Sequence, residues 1–175
     1  MKIIDLSLPL YSGMPVFAGD PEVSIEVIQT IEKNGWNMRR IEINGHDGTH
    51  VNAPLHMVRD GKSLDDYALE DFCGTARVYE TGVPMEAAFG YIFRDQNIDS
   101  AIEAEIRKAH PRFVGLSASH EFDVDIERGL LEAGIISFER LVNIEKLPPE
   151  FMFYGMPLPI RDGDGSPVRA FAIVD

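Results

Sequence analysis

Apolar and polar positions alternate in short runs through the first third of the chain. Ile3 to Leu8 is an apolar run that stops at Pro9. Val23, Ile25 and Val27 alternate with polar neighbours, Ile28 and Ile31 follow, and Ile41 and Ile43 alternate with Glu42 and Asn44. A period of two predicts strands with one buried face. Gly13-Met14-Pro15 and Gly19-Asp20-Pro21 punctuate the loops between them. Arg77 to Tyr79 predicts a further short strand.

The pattern changes after residue 99. Ser100 and Glu103 have capping-box spacing and open a helix to about Lys108. Phe113-Val-Gly-Leu116 reads as a buried strand. Asp125 is placed to cap a second helix, with Ile126, Leu130 and Leu131 on its apolar face and Gly134 as its stop. Ile135 to Phe138, Phe151 to Tyr154 and Val168 to Val174 read as strands, the last two joined through the turn-rich Asp162-Gly-Asp-Gly-Ser-Pro167. Strand–helix–strand order predicts a crossover onto a parallel or mixed sheet. The fold class expected is α/β, β-rich with few helices. With no repeat, low-complexity tract or linker, residues 1–175 are expected to form one domain.

Composition narrows the function. A balance of 16 Lys and Arg against 29 Asp and Glu leaves a net charge of −13, which argues against nucleic acid and against anionic membrane surfaces as partners. No apolar run approaches the roughly 20 residues of a membrane helix. The N-terminus is interrupted by Asp5, Pro9 and Gly13, unlike a signal peptide, and the lone Cys73 forms no intrachain disulfide. Both features point to a cytoplasmic protein.

Candidate chemistry is concentrated in one stretch, His46-Asp-Gly-Thr-His50-Val-Asn52-Ala-Pro54-Leu-His56, which holds three of the five histidines. Gly45, Gly48 and Pro54 argue against a helix. In extended structure His50 and Asn52 share a face, with His56 on that side if the extension holds through Pro54. A Gly-rich turn can bring His46 back beside His50. Neutral imidazoles so grouped suit Zn, Mn, Fe or Ni; equally, three loop histidines can have separate hydrogen-bonding duties.

The stretch resembles the signature His-x-Gly-Thr-His-x-Asp-x-Pro-x-His of the cyclase family of metal-dependent hydrolases, the family of bacterial kynurenine formamidase and isatin hydrolase. It matches at His46, Gly48, Thr49, His50, Pro54 and His56. Ile4-Asp5-Leu6-Ser7, Met14-Pro15-Val16 with Gly19-Asp20, and Asp60-Gly61-Lys62-Ser63-Leu64 are similar to the family's segments around that motif. So are Leu130 to Gly134, Glu139, Pro157 to Ile160 and Asp162 to Ala170. The resemblance implies a swivelling β/β/α fold and a homodimer or homotetramer. It also implies a divalent metal, Zn or Mn first, and a small-molecule substrate hydrolysed at an amide, N-formyl or cyclic amide C–N bond by metal-activated water. It places metal ligands at His46, His50, position 52, position 127 and Glu139, and a proton-transfer residue at His56; Glu139 is counted at the catalytic centre as well.

Departures from the pattern matter as much. The family's ligand Asp is Asn52 here, a neutral amide that cannot bridge two cations as a carboxylate does. The family's helix His is Glu127. A single site on His46, His50 and one or both glutamates is therefore expected, with a rebuilt two-metal site as the other possibility. The segment Thr81 to Gln96 is short for the family, so one wall of the pocket is expected to be missing or supplied by a partner chain. The competing reading is a family member that has lost hydrolysis and binds a metal or ligand.

Other residues rank lower. Ser117, Ser119 and His120 invite a serine-hydrolase reading but lack the second Gly of a nucleophile elbow. His120 could instead approach the metal. Asp47 could orient a histidine or cap the turn, while Gly48 and Thr49 set the backbone. Cys73 reads as an inert thiol and His110 as a helix-end residue. Tyr11, Phe17 and Trp36 are candidates for a pocket wall or for packing.

Overall fold

The computed structural model describes residues 1–174. Its centre is a nine-stranded mixed sheet built from β1 (Lys2–Asp5), β4 (His50–Asn52), β5 (Cys73–Val78), β6 (Gly90–Phe93), β7 (Phe113–Ser117), β8 (Ile136–Leu141), β9 (Glu150–Tyr154), β10 (Gly165–Pro167) and β11 (Phe171–Val174). Their order is β1-β11-β9-β5-β6-β7-β8-β4-β10. The α/β reading of the sequence therefore holds, with few helices and a strand-rich sheet.

The middle of the sheet is parallel: β5–β6, β6–β7 and β7–β8 all pair in one direction. Helices α2 (Ser100–Ala109) and α3 (Val124–Glu132) make the β6–β7 and β7–β8 crossovers. Ile106 and Leu130 on these helices pack with Phe93, Val114 and Leu116 of the sheet. The opposite face carries Phe113, Phe138 and Phe153, whose rings meet at 4.9–5.4 Å. Each is fully buried and removes enough apolar surface from water to contribute about 1.5–3 kcal/mol.

Several local expectations change. Helix α2 is capped by Asp99, whose carboxylate accepts from the backbone N–H of Ala101 and Ile102, and α3 by Asp123 through Asp125 and Ile126. In each case an earlier aspartate reaches the free N–H groups, so Ser100 and Asp125 become helical. Strand β6 was not expected; all four of its residues are buried, so it shows no alternation to read. Strand β8 runs on to Leu141, and β10 lies inside the segment that reads as pure turn.

The largest correction concerns β2 (Ser24–Gln29) and β3 (Met38–Glu42). They form a separate two-stranded sheet joined through the short helix α1 (Ile31–Asn34). Their apolar face was expected to be buried, yet Val27 and Ile41 are 53% and 57% exposed. This arm forms its own sheet, and among the described residues much of its face is left exposed. Among the described residues, no helix is long and apolar enough to cross a membrane.

Candidate active site

The pairing of β4 builds the site. This strand lies between β8 and β10, with His50 opposite Glu139 and Asn52 opposite Ser137 on one side, and Asn52 opposite Gly165 on the other. Three segments far apart in sequence thus deliver side chains to one place. His50 and Asn52, two residues apart, both face it. Gly48, at φ +63, makes the turn that brings His46 back, and the His46 and His50 rings meet edge-on at 5.4 Å. Close approach is also built into Gly165, where a Cβ would fall 2.3 Å from the His46 ring.

His56 arrives by a different route from the extended one expected. Pro54–His56 forms a 3-10 turn, with Pro at its first position. That turn stacks the His56 ring on His46 at 3.9 Å, with 30° between the planes.

The floor is a closed hydrogen-bonded network. Asn52, fully buried, donates its two amide hydrogens to Glu127 Oε1 at 2.5 Å and Glu139 Oε1 at 2.7 Å. Its Oδ1 faces His46 Nδ1 at 2.7 Å. Ser137 Oγ donates to Glu127 Oε1 at 3.1 Å. Glu127, on the first turn of α3, is 5% exposed, so it is no solvated surface acid. Burial, reinforced by the negative charge of Glu139, pushes its pKa up to about 7. Glu139 moves the other way: burial would raise it, but the hydrogen bonds from His50 and Asn52 bring it below the ordinary carboxylate value.

His50 Nδ1 lies 2.9 Å from the Gly48 carbonyl, which fixes a proton there, and Nε2 faces Glu139 Oε1 at 3.2 Å. Burial works against a charged imidazole here, but Glu139 and the Gly48 carbonyl outweigh it and raise the pKa. His56 goes down, through burial and then the charge of neighbouring His46, so it is a neutral base at pH 7.

One residue was passed over in the sequence reading. Asp164, just before β10, sets its Oδ2 3.0 Å from His46 Nε2 and 3.5 Å from His56 Nδ1. Burial would raise its pKa, but the bond to His46 lowers it overall. Among the described residues, His46, His56 and Asp164 are the group whose ligand atoms all lie within 4.8 Å of one another. The available signal was Asp164's place in the Asp-Gly-Ser-Pro run; a turn reading hid it because its role depends on β10 pairing with β4.

A cavity of about 460 Å³ opens above these groups, lined by His46, His50, His56, Glu127 and Glu139, with Phe17 and Phe122 among its apolar walls. Trp36, Tyr11 and His120 do not line it. Ser117 and Ser119 hydrogen-bond to each other at 2.8 Å, so no serine–histidine pair forms among the described residues. Asp47 caps the turn by accepting from Asn44 N at 2.7 Å. Thr49 accepts from Leu8 N and donates to the Arg140 carbonyl, a backbone role. Half-buried Cys73 donates to the Leu69 and Glu70 backbone carbonyls.

Residues 4–118 match the family model described as "Putative cyclase". This chain belongs to the cyclase family. The matched span holds the three signature histidines, while Glu127, Glu139 and Asp164 lie beyond it. The family member is 27% identical to the kynurenine formamidase of Salinibacter ruber, across 97% of this chain and 96% of that one. It is 25% identical to the kynurenine formamidase of Bacillus mycoides, across 95% of each. The first alignment runs over 204 positions, more than the 175 residues of this cyclase-family chain, so that relative carries insertions relative to it. In fold it is similar to an isatin hydrolase bound to the product analogue thioisatinate, with a TM-score of 0.83, 18% identity and coverage of 99% and 92%. It also resembles a structure described as a potential metal-dependent hydrolase with cyclase activity, with a TM-score of 0.80, 22% identity and coverage of 98% and 96%.

Proposed function

We propose that this chain hydrolyses the C–N bond of a small amide, with N-formyl and cyclic amides as the substrate class. The observation that carries the reading is the convergence of His46, His50 and His56 with two buried carboxylates on one cavity. It occurs in a chain that shares nearly its full length with kynurenine formamidases.

The donor chemistry of the pocket fits a divalent cation, Zn or Mn first. Two imidazole–carboxylate pairs are available, His46 with Asp164 and His50 with Glu139, and such nitrogen and oxygen donors suit these ions. The amide of Asn52 does not fit, because its N–H groups point at both glutamates. A cation bound here would polarise the substrate carbonyl and make water a nucleophile near neutral pH. The chain's own residues do the rest. Apolar walls at Phe17 and Phe122 hold the non-reacting part of the amide. His56, neutral and half-buried, takes the proton of the attacking water and returns it to the leaving nitrogen. Glu139 holds His50 in place.

Two further assignments belong to this reading. The main sheet takes strands from both ends of the chain, which supports one domain over residues 1–175. The exposed face of the β2–β3 arm supports a homodimer or homotetramer.

A second reading is favoured by one observation. Asn52 satisfies both glutamates without a cation, as expected of a family member that binds a ligand and no longer hydrolyses it. A panel containing an N-formyl aromatic amine and a cyclic amide, assayed with Mn²⁺ or Zn²⁺, separates the two. Turnover lost in His56→Ala supports hydrolysis. No turnover of any panel member with either metal would sink it and leave the binding reading.

A further inference from the structure

We propose that the pocket takes one divalent cation, at its mouth between His46 Nε2 and Asp164 Oδ2, and that Asn52 keeps the floor closed to a second. The assignment rests on the hydrolase reading for its purpose, but its test reads binding.

The argument starts at the amide. Asn52 is fully buried between two glutamates, and only its NH2 end can face two carboxylates without repulsion. That fixes the amide's orientation and turns Oδ1 towards His46 Nδ1. A carbonyl oxygen at 2.7 Å requires a hydrogen on Nδ1, so in the neutral ring the lone pair is on Nε2. Metal-binding histidines are oriented in this manner, with the second nitrogen donating to an oxygen. Here Nε2 faces a carboxylate oxygen 3.0 Å away. That distance is met either by a second proton on Nε2, in a hydrogen bond, or by a cation between the two atoms, and three donor atoms within 4.8 Å of one another suit the cation. Ligand atoms bound at about 2.0–2.2 Å to one ion lie about 3 Å apart at octahedral angles, as this pair does.

His56 is the third group within reach, its Nδ1 3.5 Å from the same Asp164 Oδ2. Its ring is stacked on His46 at 3.9 Å. His56 therefore stands next to the cation, where a proton acceptor is useful. Asp164 supplies the anionic ligand that position 52 lacks, from the opposite edge of β4.

The floor excludes a cation for the converse reason. The oxygens of Glu127 and Glu139 that face each other already accept N–H groups from Asn52, and Glu127 accepts from Ser137 as well. A cation placed there would meet the positive end of the amide dipole.

The test titrates metal-free protein with Co²⁺ and Mn²⁺, following Co²⁺ visible absorption and calorimetric stoichiometry, with circular dichroism to establish folding. The wild-type chain binds one cation. Asp164→Asn lowers the affinity at least tenfold, whereas Glu127→Gln binds one cation as tightly as wild type. Asn52→Asp, folded in the presence of Mn²⁺, binds two. Wild-type stoichiometry of zero or two, wild-type affinity in Asp164→Asn, or one cation in folded Asn52→Asp would each overturn the assignment. If Asn52→Asp does not fold, Asp164→Asn decides. Amide hydrolysis by protein that binds no cation overturns this assignment and spares the hydrolase reading. One cation bound as described, with no turnover, upholds the assignment and sinks hydrolysis.

Discussion

Glu127→Gln provides the sharpest test of the floor network, because its effect on stability should change with pH. The pKa of Glu127 is pushed from 4.5 to about 7 by burial and by the charge of Glu139. An unfolded chain releases the proton near 4.5, the folded chain only near 7. Protonated Glu127 thus contributes stability that is fully present below pH 4.5 and lost as the pH rises through about 7. The displacement corresponds to about 3 kcal/mol. Glutamine keeps the shape, and its carbonyl oxygen accepts from Asn52 and Ser137 as Glu127 Oε1 does, but it cannot ionise. Urea unfolding in chelator, at pH 5 and pH 8, should therefore show nearly equal stability for wild type and variant at pH 5. At pH 8 the variant should be more stable by up to about 3 kcal/mol, or about 6–12 °C in Tm for a domain of this size. A difference that does not vary with pH, or a variant less stable than wild type at pH 8, would refute a buried, late-ionising Glu127.

Other outcomes follow from the same geometry. Ser137→Ala removes the hydroxyl bonded to Glu127; it should cost about 1 kcal/mol, more at pH 8 than at pH 5, in the same unfolding assay. His56→Ala should lower kcat on an N-formyl amide by about 10²–10⁴-fold, with the cation still bound; unchanged kcat would remove His56 from proton transfer. The face of the β2–β3 arm presents Ile41 and, beyond the strands, Trp36 and Ile31 to solvent, at 57%, 56% and 60% exposure. Ile41→Glu should convert an oligomer to monomers in light scattering, while a wild-type chain already monomeric would show that the arm has another use.

The histidine stretch was legible because its residues are close in sequence and its glycines and proline rule out a helix. From them the sequence yields the family, the α/β class and three of the groups around the cavity. Glu139 was legible too, as an acid at the end of an apolar run. The caps of α2 and α3 were misread by one or two residues because neighbouring capping residues, Asp99 and Ser100 in one case and Asp123 and Asp125 in the other, compete for the same N–H groups. Strand β6 escaped because a strand buried on both faces has no polar period.

What the sequence by itself determined is therefore local: the periods, the turn residues and the donor types in one motif. The tertiary structure decided which distant residues meet them. Pairing β4 with β8 and β10 across more than 80 residues sets Glu139 against His50 and brings Asp164 to His46. It also turns Asn52 into a bridge between two glutamates, which no spacing along the chain could reveal. Electrostatics follows the same division. Glu127 is an ordinary first-turn acid in sequence, and only burial beside another carboxylate makes it hold its proton to near pH 7.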